Sequence, residues 1–464
     1  LRLRGFSSAA RLGFCCPRLI GTERFVLLGR KLSAMPTVDK PQPFRVPTGT
    51  RDVLPPESQQ WDRLLQVFSR MADLCGYEWI MTPIFEDAGV FSRAVGDATD
   101  IVRKEMYDFD DKGGRHMSLR PEVTASVVRS FVENRPPRLP WKVWYWGPMF
   151  RYERPQAGRY RQFYQVGAEA IGSDDPELDI EMIVLVWDFF TRLGLNRMTL
   201  KVNSLGDSEC RPKYRAVLEE YLDQRKEQLC DEHAVRYLEN PMRVLDCKKE
   251  PCRKATQDAP KQLDWLCESC ASAFESVRSG LDALEVPYTV DHRLVRGLDY
   301  YTRTTFEISA DALESAQNAI GGGGRYDKLV SDLGGPPSAA VGFSSGIERV
   351  LLACQAEDIL LADPGDSAPQ VFLIDLTGGR HATVLARRLR TSGIKCERDL
   401  GSRSAKAQFR SADRSGARIA AVIGSDELQA GTITVKSLIG EQFEQHSIPI
   451  GDLEEFLSRK AGNK

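Results

Sequence analysis

The sequence "WKVWYWGPMFRYERPQAGRYRQFYQVGAEAIG", residues 141–172, contains two long runs rich in aromatic and apolar residues that are joined by a short loop. Aromatic residues are enriched in β-strands, and the loop contains Pro155 and Gly158, which are typical of turns. Two strand-like runs separated by such a loop predict a β-hairpin. An antiparallel sheet is therefore the expected core of the chain.

The period of two along this hairpin places several polar residues on one face. Arg151 and Glu153 alternate along the first run, and Gln165, Gly167 and Glu169 alternate along the second. That face would offer a cation, two carboxylates and an amide, and Gly167 would leave room for a ligand. The alternative interpretation is a solvated sheet face with ordinary cross-strand ion pairs.

The turn of the hairpin is rich in arginine, since Arg154, Arg159 and Arg161 lie within eight residues. A guanidinium group binds a phosphate through two parallel hydrogen bonds. The turn is therefore a candidate site for phosphate or nucleotide contact.

Segments on both sides of the hairpin extend the sheet and cover it. Apolar residues recur at helical spacing between Trp61 and Ala72, residues 78–85 have the pattern of a strand, and a helix is predicted from about Thr124 to Glu133. Charged, cysteine-bearing sequence between about 205 and 287 predicts a helical insertion. Strand patterns return at 295–308 and 321–330, and residues 339–355 are typical of a strand followed by a helix.

The last hundred residues have a different pattern. After the linker-like loop at 362–370, strands alternate with helices: strands at 371–376, 395–400, 419–424 and 431–438, and helices around 382–393 and 404–416. This alternation predicts a small α/β domain. The expected fold class is α+β, with segments 1–45, 46–365 (carrying the insertion) and 366–464.

Further candidate binding groups lie at the ends of predicted elements. Arg296 precedes Tyr300 and Tyr301 by four residues, at the mouth of an alternating strand. Glu122 and Thr124 lie where a strand gives way to a helix, and together they would hold an ammonium group. The alternative for Thr124 is a helix N-cap.

Arg349 lies in the first turn of a helix predicted to begin near Ser345, where a cation opposes the helix dipole. Such a placement suits a bound polyphosphate, and the alternative is a surface arginine paired with Glu348. The run "GGGGRYDKL", 321–329, lacks the lysine and hydroxyl residue of a P-loop, so its glycines allow a tight turn or close approach to a ligand.

Cysteines are dense only between Cys210 and Cys270. Five of them, with one histidine, would be the ligands if this region bound zinc: Cys230, Cys247, Cys252, Cys267, Cys270 and His233. Because only Cys267 and Cys270 have the C-x-x-C spacing, buried thiols without a metal are the expected state. We therefore predict no bound zinc.

Composition limits the classes of function. A net charge of −2, from 63 basic and 65 acidic residues, excludes a global positive field, so contact with nucleic acid depends on local basic patches. No run approaches about 18 apolar residues, so we expect no membrane span. Scattered cysteines favour a reducing compartment over a disulfide framework.

Residues 1–45 have the composition of a targeting segment. Arginines, serines and small apolar residues dominate, and Glu23 is the single acidic residue among the first 38. This pattern predicts an organelle transit peptide directing the protein to the mitochondrion, the chloroplast or both. The alternative is a disordered basic tail. Met35 is a candidate start for a shorter cytosolic form.

Six motifs together resemble the histidyl-tRNA synthetase family, of the bacterial and organellar type: "PTGTRDVLP", "LRPEVTASVVR", "FRYERPQAGRYRQFYQVGAE", "VRGLDYYT", "GGGGRYDKL" and "GFSSGIERVLL". The resemblance covers the chain from about Val46 onward, and "VRGLDYY" is its most specific motif. It implies a class II catalytic domain at 46–365, an anticodon-binding domain at 366–464 and a homodimer. The implied activity joins L-histidine to tRNA(His) through a histidyl-adenylate made from ATP, with Mg²⁺ accompanying ATP.

The resemblance also implies roles for individual residues. Histidine-binding residues would be Glu122, Thr124, Arg151, Gln165, Glu169, Arg296, Tyr300, Tyr301 and Tyr326, with Glu169 and Tyr301 on the imidazole nitrogens. ATP-binding residues would be Arg151, Glu153, Arg159 and Arg349. Arg296 and Arg151 would be catalytic, and Arg154 and Gln156 would contact the tRNA acceptor stem.

Two other functions are compatible with this resemblance. Paralogues of the family serve as non-catalytic regulatory or tRNA-sensing proteins, but such relatives typically lose catalytic motif residues, and Arg151, Arg296 and Arg349 are all present. A synthetase for another amino acid is opposed by Glu169 together with the two adjacent tyrosines.

Overall fold

The computed structural model describes residues 43–96, 99, 101–313, 318–363, 368–401, 403–438 and 445–461. Met35 and nearly all of the predicted transit peptide lie outside these residues. No described helix combines the length and the apolar character needed to cross a membrane.

Eleven strands belong to the described residues that precede residue 350. They are β1 (Glu78–Trp79), β2 (Phe85–Asp87), β3 (Tyr107–Asp110), β4 (His116–Leu119), β5 (Trp141–Phe150), β6 (Gln162–Ile171), β7 (Met198–Ser204), β8 (Thr289–Val290), β9 (Thr302–Ala310), β10 (Ala319–Arg325) and β11 (Ala340–Gly346). Eight of these strands form one sheet in the order β1-β5-β6-β11-β10-β9-β7-β8, and β2-β4-β3 form a small separate sheet. Only the two edge pairs, β1 with β5 and β7 with β8, are parallel. The predicted antiparallel sheet is confirmed.

Helices flank and interrupt this sheet. They are α1 (Glu57–Leu74), α2 (Ala88–Val95), α3 (Thr124–Asn134), α4 (Pro176–Arg192), α5 (Cys210–Asp223), α6 (Asp231–Arg236), α7 (Met242–Leu245), α8 (Glu250–Ala255), α9 (Glu268–Ala283), α10 (Leu329–Asp332) and α11 (Ile347–Ala356). The five helices α5–α9 lie between β7 and β8, so the predicted helical insertion is confirmed.

The two faces of the large sheet have different environments. Along β6, Val166 and Ala168 point toward α1 and α4 and pack with Phe68 and Phe189 in the main hydrophobic core. The apolar residues of α1 recur every three or four positions, which places one stripe of that helix against the sheet. Residues of odd number on β6, including Glu169, therefore point to the opposite face, beneath α3 and the 295–301 loop.

The C-terminal domain contains β12 (Val371–Asp375), α12 (Arg380–Thr391), β13 (Cys396–Arg398), α13 (Ala405–Ser415), β14 (Ile419–Ile423), α14 (Ser425–Ala430), β15 (Thr432–Ser437), β16 (Gln445–Pro449) and α15 (Leu453–Ala461). Its strands pair in the order β13-β12-β14-β15-β16, parallel at first and antiparallel at the end. Leu373 and Leu389 lie in its own hydrophobic core. The alternation predicted for this region is confirmed.

Several local predictions differ from the structure. Residues 78–85 do not form one strand, because β1 ends at Trp79 and β2 begins at Phe85, with exposed Met81 and Pro83 between them. The first hairpin strand ends at Phe150, so Arg151 and Glu153 belong to the turn. The helix predicted near Ser345 begins at Ile347. The four glycines of "GGGGR" form strand β10 and not a turn.

Candidate functional site

A polar cavity of about 350 Å³ opens on the face of the sheet opposite α1 and α4. Seven of the predicted site residues line it: Arg151, Glu153, Arg159, Gln165, Arg296, Tyr301 and Arg349. They come from the hairpin, the 295–301 loop and the start of α11, which lie far apart in the sequence. The structure therefore brings four arginines from three sequence motifs to one place.

Gly321 and Gly322 contribute backbone without side chains to the wall of the cavity. A Cβ atom on Gly322 would lie 2.8 Å from the guanidinium nitrogens of Arg296, so only glycine lets Arg296 lie across β10. On the next strand, a Cβ on Gly342 would lie 1.6 Å from the Glu169 carboxylate. Gly322 thus makes room for the Arg296 guanidinium, and Gly342 makes room for the Glu169 carboxylate.

Arg296 is held by an ion pair on that face. Its Nη1 donates to Glu307 Oε2 at 2.6 Å, and its Cζ lies 5.9 Å from the centre of the Tyr301 ring. The Nε atom of Arg296 is buried and has no hydrogen-bond partner among the described residues. The guanidinium is therefore fixed in place with donor capacity left over for a ligand.

Two other arginines are held by backbone carbonyl groups. Arg151 Nε donates to Pro121 O at 2.9 Å, and Arg349 donates to Gly158 O at 3.3 Å and Ala319 O at 3.2 Å. Burial, reinforced by the positive charge of Arg159, lowers the pKa of Arg349. Uncompensated positive charge of this kind favours an anionic ligand.

Arg349 is not paired with the glutamate that precedes it. Both carboxylate oxygens of Glu348 accept the backbone N–H of Tyr164, at 3.1 and 3.2 Å. The alternative of a surface arginine paired with Glu348 is therefore wrong. Burial raises the pKa of Glu348 to about 7.

A second, fully buried cluster lies around Glu169, which is 1% exposed. Its carboxylate accepts hydrogen bonds from Thr124 Oγ1 at 2.7 Å, Tyr145 OH at 3.2 Å and Tyr326 OH at 2.5 Å. Burial raises the pKa of Glu169 to about 8, although these hydroxyl donors oppose the shift. The alternative of a solvated sheet face is therefore wrong.

Gly167 has a different role from the one predicted. A Cβ at this position would lie 2.5 Å from the Tyr145 ring, so the space above Gly167 is filled by that tyrosine and is not open to a ligand. Tyr145 was not among the predicted site residues. Its position opposite Gly167 in the hairpin register was a signal that could have identified it.

Glu122 and Thr124 both act at the start of α3. The carboxylate of Glu122 accepts the backbone N–H groups of Thr124 and Ala125, at 2.7 and 2.9 Å. The N-cap position belongs to Val123, so the alternative that Thr124 is merely the N-cap is wrong. Thr124 is the first helical residue, and its hydroxyl reaches Glu169 instead.

The tyrosines connect the buried cluster to the cavity. The ring centroids of Tyr300 and Tyr301 are 4.7 Å apart, and those of Tyr300 and Tyr326 are 5.6 Å apart. Tyr301 also lines the cavity beside Arg296. Gln165 donates to Ser344 Oγ at 3.4 Å, and its buried Oε1 has no partner among the described residues.

Arg154 and Gln156 lie apart from both groups, exposed at the tip of the hairpin. The turn is closed by two backbone hydrogen bonds between Gln156 and Arg159, at 3.1 and 2.9 Å. Arg159 Nη1 donates to Glu153 at 3.2 Å, and this ion pair does not involve Arg154 or Gln156.

An antiparallel sheet with arginines gathered on one face, an inserted helical segment and a C-terminal α/β domain define a class II aminoacyl-tRNA synthetase. The model of the family described as "Histidyl-tRNA synthetase" matches residues 49–350, and that described as "Anticodon binding domain" matches residues 370–460. The chain belongs to the histidyl-tRNA synthetase family.

Individual relatives agree with this assignment. The histidine–tRNA ligase of Pelotomaculum thermopropionicum is 47% identical over 420 residues, covering 89% of this chain and 97% of that protein. The histidine–tRNA ligase of Desulfitobacterium hafniense is 47% identical over 423 residues, with the same coverage. The crystal structure of apo Staphylococcus aureus histidyl-tRNA synthetase has a TM-score of 0.75 and 36% identity, covering 89% of this chain and 99% of that one.

Proposed function

We propose that this protein charges tRNA(His) with L-histidine in two steps in the cavity described above. The histidine carboxylate attacks the α-phosphorus of ATP, the bond between the α- and β-phosphates breaks, and pyrophosphate leaves. A hydroxyl of the terminal tRNA adenosine then attacks the acyl carbon, and AMP leaves. The observation that carries this proposal is the position of Arg296 in the arginine-lined cavity, over the ring of Tyr301, which belongs to the tyrosine group that connects the cavity to the Glu169 cluster.

Arg296 would act on the first step. Negative charge accumulates where the carboxylate meets the α-phosphate, and a cation fixed beforehand by Glu307 stabilises that charge without reorganising. Stabilisation that is larger in the transition state than in the ground state raises turnover. Arg151 would contribute a second cation on the same side.

The remaining arginines would hold the nucleotide. Burial and the positive charge of nearby Arg159 lower the pKa of Arg349, which suits a triphosphate that neutralises both arginines. ATP would enter as its magnesium complex, and Glu153 supplies oxygen ligands of the kind that Mg²⁺ prefers.

The buried cluster would recognise the amino acid. Neutral imidazole has one N–H donor and one acceptor nitrogen, so Glu169 and Tyr301 on opposite sides would match both edges. Glu122, Thr124 and Gln165 would hold the amino group, with Tyr300 and Tyr326 completing the walls. An amino acid lacking the imidazole pattern would leave buried polar groups unpaired, which gives discrimination up to ~10⁴-fold.

Binding of tRNA would involve both ends of the protein. Arg154 and Gln156, at the exposed hairpin tip, would contact the acceptor stem, and the C-terminal domain would contact the anticodon. We further propose a homodimer, and action in the mitochondrion or chloroplast after removal of residues 1–45. The location of a fluorescent reporter fused to residues 1–45 tests the proposed organelle targeting. Light scattering at several protein concentrations tests the proposed dimer.

Amino-acid-dependent exchange of pyrophosphate into ATP tests the proposed reaction. Histidine alone should support exchange. Exchange with another amino acid would contradict the specificity, and no exchange with any would favour a regulatory protein. Gln156→Ala should reduce tRNA charging while leaving exchange unchanged, and equal loss of both activities would rule out its acceptor-stem role.

A further inference from the structure

The helical insertion contains two groups of side chains that face each other as metal ligands do. We call Asp207, Cys210, Cys267 and Cys270 the junction cluster, and Cys230, His233, Cys247 and Cys252 the insertion cluster. Within each cluster, one ligand atom from each of the four residues lies within 4.8 Å of the other three. We propose that each cluster binds one Zn²⁺ ion.

The distances in the insertion cluster fit a tetrahedral zinc site. Zinc bonds of about 2.3 Å to sulfur and about 2.0 Å to nitrogen place two ligand atoms roughly 3.5 Å apart at the tetrahedral angle. His233 Nδ1 lies 3.4 Å from Cys230 Sγ and 3.5 Å from Cys252 Sγ. His233 Nδ1 is therefore at the spacing that a tetrahedral zinc requires from two of the three sulfurs.

The junction cluster has a similar geometry with a carboxylate in place of the imidazole. Asp207 Oδ1 lies 3.3 Å from Cys210 Sγ, and Asp207 Oδ2 lies 3.8 Å from Cys267 Sγ. Carboxylates ligate zinc at about the same distance as imidazole. Cys210 is the first residue of α5 and Cys267 is the N-cap of α9, so both ligands lie at the start of a helix.

The chemistry of the ligands selects zinc over the hard cations. Each cluster supplies three sulfurs, and thiolate sets favour zinc, whereas Mg²⁺ and Ca²⁺ require oxygen ligands. Two of the sulfurs already accept backbone N–H groups, Cys252 from Cys230 at 3.3 Å and Cys210 from Asp207 at 3.2 Å. Hydrogen bonds of this kind orient ligands around a metal.

The spacing of the ligands explains why sequence analysis did not predict these sites. Ligands come in short-range pairs, Asp207 with Cys210, Cys230 with His233 and Cys267 with Cys270, each separated by two residues. The junction cluster joins its two pairs across more than fifty residues, and its first pair begins with an aspartate. Asp207 and Cys210 were therefore not recognised as ligands, and the expectation of unliganded thiols is replaced by the present proposal.

Zinc would stabilise the wall of the active site. Cys247 lies between Asp246 and Lys248, both of which line the cavity. The junction cluster links the chain leaving β7 to the start of α9, and so ties the two ends of the insertion together. Loss of zinc should therefore loosen the insertion and lower the rate of exchange.

Metal content of the untagged full-length protein, measured by inductively coupled plasma mass spectrometry, tests the proposal. About two zinc ions per chain are expected, one for each cluster. Cys252→Ser and Cys270→Ser should each lower the content by about one. The matched control is Cys354→Ser, since Cys354 is a buried thiol of α11 outside both clusters, and its content should stay near two.

A second measurement does not depend on the folding of variants. Stepwise modification of the wild-type thiols with a mercurial reagent should release two zinc ions per chain, detected with a metallochromic dye. Release of only one zinc ion per chain, together with loss of that ion in the variant of one cluster and not of the other, overturns the site whose variant has no effect. Protein with reactive thiols and less than half an ion per chain, or with its thiols in disulfides, overturns both.

Discussion

Arg296 Nη1 lies 2.6 Å from Glu307 Oε2, and this ion pair holds the guanidinium across the bare backbone of Gly322. Arg296 lies in the 295–301 loop and Glu307 lies on β9. Their ion pair holds the guanidinium in position before any substrate binds. Positioning of this kind is what electrostatic catalysis requires.

Gly322→Ala should reduce activity without unfolding the protein. The new Cβ would lie 2.8 Å from the Arg296 guanidinium and displace it. We expect the turnover number for pyrophosphate exchange to fall by about tenfold or more, equivalent to about 1.4 kcal/mol of transition-state stabilisation. Gly451→Ala, with no atom within 4 Å of the new Cβ, is the control and should have normal turnover. Unchanged turnover in Gly322→Ala would show that Arg296 tolerates displacement.

Thr124→Val should weaken histidine binding selectively. The substitution removes the 2.7 Å hydrogen bond to Glu169, and a typical hydrogen bond contributes about 0.5–1.5 kcal/mol. We expect the KM for histidine in the exchange assay to rise by roughly two- to tenfold, while the KM for ATP stays the same. Thr199→Val is the matched control, since the Thr199 hydroxyl bonds to Asp311 at an exposed site. An equal rise in both KM values would contradict a role in amino-acid recognition.

Glu169 should make stability depend on pH. Its pKa is raised by burial from 4.5 to about 8 in the folded protein, so the folded state binds this proton more tightly than the unfolded state. The resulting stabilisation is complete below pH 4.5 and is lost as the pH rises through about 8.

Urea unfolding of the wild type and of Glu169→Gln, at equal protein concentration, measures this effect. Relative to the variant, the free energy of unfolding of the wild type should fall by on the order of 4 kcal/mol across that range of pH. A difference between the two proteins that stays constant with pH would contradict the raised pKa.

A buried ion pair anchors β10 to α4. Arg325 is 2% exposed, and its Nε donates to Asp179 at 3.0 Å. Because removing one partner leaves a buried charge, Arg325→Ala should lower the free energy of unfolding by about 3–5 kcal/mol, measured by urea unfolding. The double variant Arg325→Met with Asp179→Leu should recover most of that loss. Arg459→Ala, which breaks an exposed pair, should cost less than about 1 kcal/mol.

Periodic patterns in the sequence were enough to predict the sheet and the C-terminal domain. The hairpin at 141–172 was recognisable because its aromatic runs are long and its turn residues are distinct. The strand predicted at 78–85 was wrong because short apolar runs containing proline do not determine strand pairing. β16 and α15 have weaker patterns and were not predicted.

The residues of the candidate site were likewise predicted only in part from the sequence. Arg151, Arg296 and Arg349 were identified from motifs, but their meeting in one cavity depends on sheet register, which the sequence does not state. Tyr145 was missed because the hairpin register that places it opposite Gly167, and so within reach of Glu169, was not worked out from the sequence. Side-chain partners distant in sequence are decided by tertiary packing, and local propensity carries no information about them.

The single-turnover rate of histidyl-adenylate formation by Arg296→Ala measures whether the Arg296 guanidinium stabilises the transition state of adenylate formation. Removing one preorganised donor at a developing charge costs about 10²–10³ in rate, so we expect a loss of at least that size in protein that remains folded. Arg192→Ala, which removes an exposed arginine of α4, should retain the wild-type rate. If folded Arg296→Ala formed adenylate at the wild-type rate, Arg296 would have no role in stabilising the charge that develops in this step.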